Sequence, residues 1–207
     1  MAGIEISTEL AARGFDLIVP GDMGIGNTTS ASCIVAALSG LPAARVTGRG
    51  TGIDRVTLAL KRSVIERALR LHRDRLGDPL GVLAAVGGFE IAGLAGLCLG
   101  AASRRVPVLL DGLISTAAAL VAAAMAPALP AYLIAGHQSV EPGHHIALST
   151  LGLRPLLRLN MRLGEGSGAA LAIPIVRAAA STLATMASLT DVLPAPDLPS
   201  DQLGPRP

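Results

Sequence analysis

The sequence predicts an α/β fold: a three-layer, Rossmann-like, mostly parallel sheet with helices on both faces. Short apolar runs recur between glycine-rich turns and longer alanine-rich segments, which is βα alternation. The strand-like runs are apolar on both faces, as strands covered by helices on each side must be. A chain of 207 residues, 51% hydrophobic and 15% charged, supplies one α/β-sized domain with a real core.

The elements follow in order. The opening MAGIEISTELAARGFD carries acids from Glu5 onward and no apolar run of signal-peptide length, so it is not expected to be a signal peptide. Phe15–Val19 is the predicted first strand, followed by the loop Gly21–Gly26 and a helix from an Asn27 or Thr28 cap to about Leu38. After Pro42 comes the polar loop Arg45–Asp54, whose Asp54 caps a helix to about Leu76. Leu80–Val86 is predicted as a strand, Gly87–Gly88 as its turn, and Phe89–Ser103 as a helix. Val106–Leu110 is a strand ending at Asp111, followed by an alanine-rich helix to about Met125. The uncharged stretch Gly112–Gly136 is broken by Pro127 and Pro130, so it reads as a buried helix and core strand rather than a membrane span. Tyr132–Ala135 is the next strand, then the loop GHQSVEPGHH, a short helix to about Leu151, the segment Leu156–Leu163, and a last helix over about 169–187. Residues 1–192 form the predicted domain, and the Pro/Asp/Ser-rich residues 193–207 a flexible tail.

Composition narrows the function. Seventeen basic residues face fifteen acidic ones, net charge is +2, and only Phe15, Phe89 and Tyr132 are aromatic, so nucleic acid is not an expected partner. Cys33 and Cys98 lie in apolar runs far from other thiols and read as buried small hydrophobes in a reducing compartment. The three histidines of GHQSVEPGHH have no standard zinc spacing.

In an open parallel sheet, ligands sit at the carboxyl ends of the strands. Asp22, Glu90, Asp111, His137 and Glu165 all map there. GDMGIGNTTS places three glycines and an amide/hydroxyl run where free N–H groups and a helix start favour an anion, without the lysine of a Walker loop or the G-x-G-x-x-G spacing of a dinucleotide site. It reads either as a phosphate cradle or as an ordinary βα turn. RLGEGSG sets Glu165 between glycines, either as a carboxylate open to a ligand and able to act as a base, or as a helix-initiating acid. Glu90 reads as a ribose ligand or a cap, and Asp111 as a ribose ligand or a buried acceptor of loop N–H bonds. Ser139 reads as a hydroxyl donor to a phosphate. Lys61, the only lysine, lies among Arg62, Arg67 and Arg70 on one helix, by default a solvated basic face.

The ordered motifs GDMGIGNTTSAS, VTGRGTGID, LKRSVIERAL, AAVGGFEIAGLAG, VPVLLDG, SVEPGHHIAL and MRLGEGSGAALA resemble the nicotinate-nucleotide:dimethylbenzimidazole phosphoribosyltransferase family, from about Gly3 to Leu189. The resemblance implies transfer of phosphoribose from nicotinate mononucleotide to dimethylbenzimidazole, with inversion at the anomeric carbon, giving α-ribazole phosphate for the cobalamin lower ligand. It implies a homodimer of cytoplasmic location that needs no metal or other cofactor and no membrane. Glu165 falls on the family's catalytic base. The expected substrate-binding residues are Asp22 (a glutamate in the family), Gly24, Gly26, Asn27, Thr28, Lys61, Gly88, Glu90, Asp111, Ser139, Leu163 and Gly164. Family members run to about 350 residues, so roughly the first 150 of the pattern are expected to be missing. The alternative is a noncatalytic or split nucleotide-binding subunit completed by a partner chain.

Overall fold

Parallel backbone pairing organises the unit formed by Met1–Ile173 in this computed structural model, which describes residues 1–192; the predicted tail at 193–207 lies outside the described residues. β1 (Val108–Leu110) and β2 (Leu133–Ala135) pair in parallel, Val108 opposite Leu133 and Leu110 opposite Ala135. Ile18 bridges to the other side of β1, donating its N–H to Pro107 O at 3.1 Å and accepting from Leu109 N at 2.9 Å. Leu157 bridges to His137 just beyond β2, and Leu156 donates to Ala135 O at 2.9 Å. Thus the α/β class and the parallel sheet hold, while the regular strands are shorter than the apolar runs that predicted them. Phe15–Val19 contracts to the single bridge at Ile18.

The helices follow the alanine-rich segments. α1 (Ala2–Ala12) opens the chain, and α2 (Thr28–Ser39) follows the first glycine loop with six consecutive buried residues, Ala31–Ala36. The short α3 (Ala43–Val46) leads to α4 (Arg55–Leu71), whose N-cap Asp54 accepts from Thr57 N at 2.7 Å. A 3-10 turn over Arg73–Arg75 leads to α5 (Pro79–Val86), and α6 (Phe89–Ser103) follows. After β1, α7 (Leu113–Met125) is buried from Leu113 through Ala122, which accounts for the uncharged stretch without a membrane. A 3-10 turn over Leu129–Tyr132 enters β2, and α8 (Pro142–Thr150) follows it.

α9 (Ser167–Thr185) contains Pro174, where the second unit begins. By length and composition alone it could cross a membrane, though Arg177 interrupts it. In the second unit, α10 (Leu189–Val192) is preceded by Ser188, whose N–H and hydroxyl both reach Asp191 Oδ2, at 2.8 and 2.6 Å.

Leu80–Val86 corrects an expectation: it is helical, not a strand. A short apolar run carries no decisive periodicity. The preceding residues decide, because Pro79 occupies the first turn and the Asp78 carboxylate accepts from Gly81 N at 2.9 Å. Gly87–Gly88 therefore joins two helices, and Glu90 begins a helix instead of ending a strand.

α1 lies against α6 through small residues. A Cβ on Gly3 would overlap Gly93 O and sit 2.6 Å from Leu97 N, whereas a Cβ on Gly93 would meet open space. Gly3→Ala should therefore cost about 1–3 kcal/mol by overpacking, while Gly93→Ala should be neutral or stabilising by about 0.5–1 kcal/mol through helix propensity. Thermal melts of the two variants test the pair, and equal melting temperatures would show that the α1–α6 seam is not close-packed.

Candidate functional site

Four loops leave the sheet at the carboxyl ends of its parallel segments, and they meet. The loop after Ile18 brings Asp22, Met23 and Gly24, and the loop after β1 brings Asp111 through Ser115. The loop after β2 brings His137, Ser139 and Glu141, and the segment after Leu157 brings Arg162, Leu163 and Gly164. With Thr28, Gly50 and Thr51 they line a cleft of about 590 Å³. Lys61 lines an adjoining hollow with Gly24, Gly26, Thr28, Gly50 and Thr51. Asn27 supports the first loop by donating to Asp22 Oδ1 at 2.7 Å, and the same oxygen accepts from Gly24 N at 2.9 Å.

Asp111, 2% exposed, ties the sheet to the start of α9. Its Oδ1 accepts from Gly168 N at 2.9 Å and Ala169 N at 3.1 Å, and its Oδ2 from Gly166 N at 3.1 Å. His137 Nε2 lies 3.3 Å from Oδ1. Burial works against ionisation, but the hydrogen bond from His137 and those from Ala169 and Gly166, with the His137 charge, outweigh it and hold the carboxyl below its usual range. Of the two readings of Asp111, its hydrogen bonds are those of the acceptor of loop N–H groups.

That anchoring shapes the turn carrying Glu165. Gly164, Glu165 and Gly166 have φ of 82°, 59° and 77°, three successive left-handed residues, of which only the middle one bears a side chain. Glu165 donates its N–H to Asp22 O at 2.7 Å. A Cβ on Gly164 would sit 2.7 Å from the same carbonyl oxygen, so this glycine serves the approach of two backbones. Glu165 itself is exposed at the lip of the cleft, next to lining residue Gly164.

Ser139 and His144 form a buried pair behind the wall. The ring of His144, 0% exposed, accepts Ser139 N–H at Nδ1 (3.0 Å), which fixes that nitrogen as unprotonated. Ser139 Oγ lies 2.9 Å from the same nitrogen and accepts from Glu141 N at 3.4 Å. Burial first, then the neighbouring His137, pushes the His144 pKa down to about 3, against a smaller upward pull from Asp111.

Of the residues the sequence pointed to, Asp22, Gly24, Thr28, Asp111, Ser139, Leu163 and Gly164 share the cleft, and Gly26 and Lys61 the adjoining hollow. Gly88 does not join them: it lines a separate apolar hollow with Leu80, Leu83 and Phe89, and the Glu90 carboxylate folds back against Gly88 at the start of α6. Glu141, Gly50, Thr51 and Arg162 are lining residues the sequence reading left out, although the loop VTGRGTGID and the EPGH motif carried three of them. Among the described residues, no three His, Cys, Asp or Glu side chains gather as metal ligands.

The DBI_PRT family model, a phosphoribosyltransferase, matches residues 1–192. The chain is 57% identical over 189 residues to the nicotinate-nucleotide–dimethylbenzimidazole phosphoribosyltransferase of Chloroflexus aggregans, covering 91% of this chain and 54% of that protein. It is 54% identical over 190 residues to the enzyme of the same name from Desulforudis audaxviator, covering 92% and 54%. Its structure is similar to the crystal structure of CobT from Thermus thermophilus, with a TM-score of 0.83 and 50% identity over 88% of this chain and 54% of that one. The chain spans about half the length of the relatives it matches.

The two buried groups set the acid response. His144 titrates near its ordinary pKa of about 6.5 when unfolded but near 3 when folded, so its contribution is complete above pH 6.5 and is lost as pH falls toward 3. Asp111, depressed in the fold, adds stability that is lost only below about pH 4. Melting temperature should therefore fall on acidification from pH 7 to 4. His144→Asn, which keeps an acceptor for Ser139 N–H but cannot take a proton, should flatten that part and leave the steeper loss below pH 4. Parallel pH–stability curves for the two proteins would show that His144 does not carry the effect.

Proposed function

The chain belongs to the DBI_PRT phosphoribosyltransferase family, and we propose on that premise that it moves a phosphoribosyl group from nicotinate mononucleotide to 5,6-dimethylbenzimidazole, in assembly of the cobalamin lower ligand. The observation that carries the reading is the convergence of four strand-end loops on one cleft, with the ammonium of Lys61 beside the glycine loop at the start of α2. A phosphate is favoured in the adjoining hollow, where Gly26, Thr28 and Lys61 supply donors at the start of α2. Sugar hydroxyls are favoured by the Asp22 carboxylate in the cleft.

The bond from the anomeric carbon to nicotinate breaks with its electron pair leaving on nicotinate, and one benzimidazole nitrogen forms the new bond. The opposite ring nitrogen must lose its proton, and the Glu165 carboxylate accepts it. Positioned base catalysis contributes about 10²–10⁴ in rate, and nearby carboxylates also stabilise a developing oxocarbenium ion. Self-association into a homodimer belongs to the same reading, since Phe89, 99% exposed, borders an apolar hollow with Leu80 and Leu83.

The half-length match to relatives favours a second reading, a nucleotide-binding half that works only with a partner chain. Incubation of the purified chain with both substrates separates the two: α-ribazole phosphate supports the transferase, and nicotinate mononucleotide binding without product supports the half. In whichever form turns over, Glu165→Gln should lower turnover by about 10²-fold or more with little change in nucleotide affinity. Asp22→Asn is the matched comparison. Near-full turnover of Glu165→Gln together with loss in Asp22→Asn would exchange the two roles.

A further inference from the structure

The only lysine in the sequence occupies a half-buried position shared with a carboxylate that it does not touch. Lys61, on α4, donates from Nζ to Thr28 Oγ1 at 2.8 Å and to Gly48 O at 3.4 Å. Two of its three ammonium protons are thereby used, and the third is left for the hollow lined by Gly24, Gly26 and Thr51. On the other side of the turn stands Glu141, 8% exposed at the start of α8. Its Oε1 accepts from Gly50 N at 2.8 Å, while its Oε2 is buried without a hydrogen-bond partner. Oε2 lies so close to Gly48 that a Cβ there would overlap it. The carboxylate therefore holds the Gly48–Gly50 turn from one face while Lys61 bonds to it from the other. Among the described residues, no ion pair joins Lys61 and Glu141 directly.

We propose that Glu141 is the positioning residue for Lys61: through Gly48 and Gly50 it fixes the ammonium so that its remaining N–H is presented to a phosphate oxygen of the ligand. The carboxylate charge also favours the protonated amine. Burial lowers the Lys61 pKa, Glu141 raises it in opposition, and the Cys33 thiol on α2 adds a smaller upward pull. The Cys33 thiol is itself pushed up to about 11, so it stays neutral below that. Among the described residues, the other charges that face this turn include Arg49 on the hollow's wall, Arg62 donating to Thr47 O, and Asp22, which lines the cleft with Thr28 and Gly50. The identity of the ligand rests on the phosphoribosyl reading; the coupling of Glu141 to Lys61 does not.

A lone lysine makes a direct test possible. Protein labelled with ¹³C at the lysine ε-carbon gives a single signal, whose shift from pH 7 to 11 titrates Lys61 alone. In Glu141→Gln, which retains an acceptor for Gly50 N–H but no charge, the midpoint should fall by roughly half a pH unit or more. Glu141→Asp, which keeps the charge on a shorter arm, should stay near the unsubstituted value. An unchanged midpoint in Glu141→Gln, or an equal fall in both variants, overturns the proposal. Calorimetry with nicotinate mononucleotide across the same pH range supplies the second measurement. The loss of affinity at high pH should begin at lower pH in Glu141→Gln, and Lys61→Met should weaken binding about tenfold or more at neutral pH. Parallel pH profiles for unsubstituted protein and Glu141→Gln overturn the role of Glu141. Undiminished binding by Lys61→Met instead overturns the phosphate assignment itself.

Discussion

The carboxylate of Asp111 is the constraint on which the site depends. At the end of β1 it accepts three backbone N–H groups from the start of α9 and faces the ring of His137 at the end of β2. A buried carboxylate left with one donor too few, or an amide offering its own N–H to these donors, would cost several kcal/mol, because nothing in a dry interior replaces the lost partner. With Asp111 satisfied, the 164–166 turn is pinned, and with it the backbone bond from Glu165 to Asp22. The lip of the cleft is therefore set from below, by a residue with almost no surface.

Donors and acceptors are sorted around that anchor. On the side of α2 and α4 stand Lys61, Thr28 and the N–H groups of the glycine loop. On the side of β2 stand Ser139 and Glu141, with Ser139 held against a histidine that stays neutral far below its ordinary pKa. A ligand with an anion at one end and hydroxyls further along fits such sorting; the reverse orientation would set its anion against a carboxylate.

Much of this was legible in the sequence because turn and cap chemistry is local. Asp54, Pro42 and the glycine loops marked helix boundaries to within a few residues, and the strand ends at Asp111 and His137 located the cleft. Leu80–Val86 misled because a seven-residue apolar run satisfies a strand and a buried helix equally, and the deciding hydrogen bond from Gly81 to Asp78 is a detail of side-chain geometry. The same misreading set Glu90 at a strand end, whereas the structure puts it in the first turn of α6. By local pattern Lys61 looked like one more member of a solvated basic face; the resemblance singled it out, and in the structure its bond to Thr28, 33 residues away, separates it from its arginine neighbours. Glu141 was hidden for the same reason: its partner Gly50 is 91 residues distant, and no local pattern encodes such a pairing.

The span of the Asp111 bonds also orders assembly of the site. They connect residues 55 to 58 positions apart, so the carboxylate is made long before the amides that will bond it. During synthesis, α2, α4, α6 and β1 can associate while Asp111 still relies on water, and the cleft acquires its lip only once the chain has passed Ala169. Such a late, long-range closure is entropically costly and slow compared with helix formation. A nascent chain halted ahead of Gly164 would hold the Lys61 side of the cleft, yet it would lack the turn carrying Glu165.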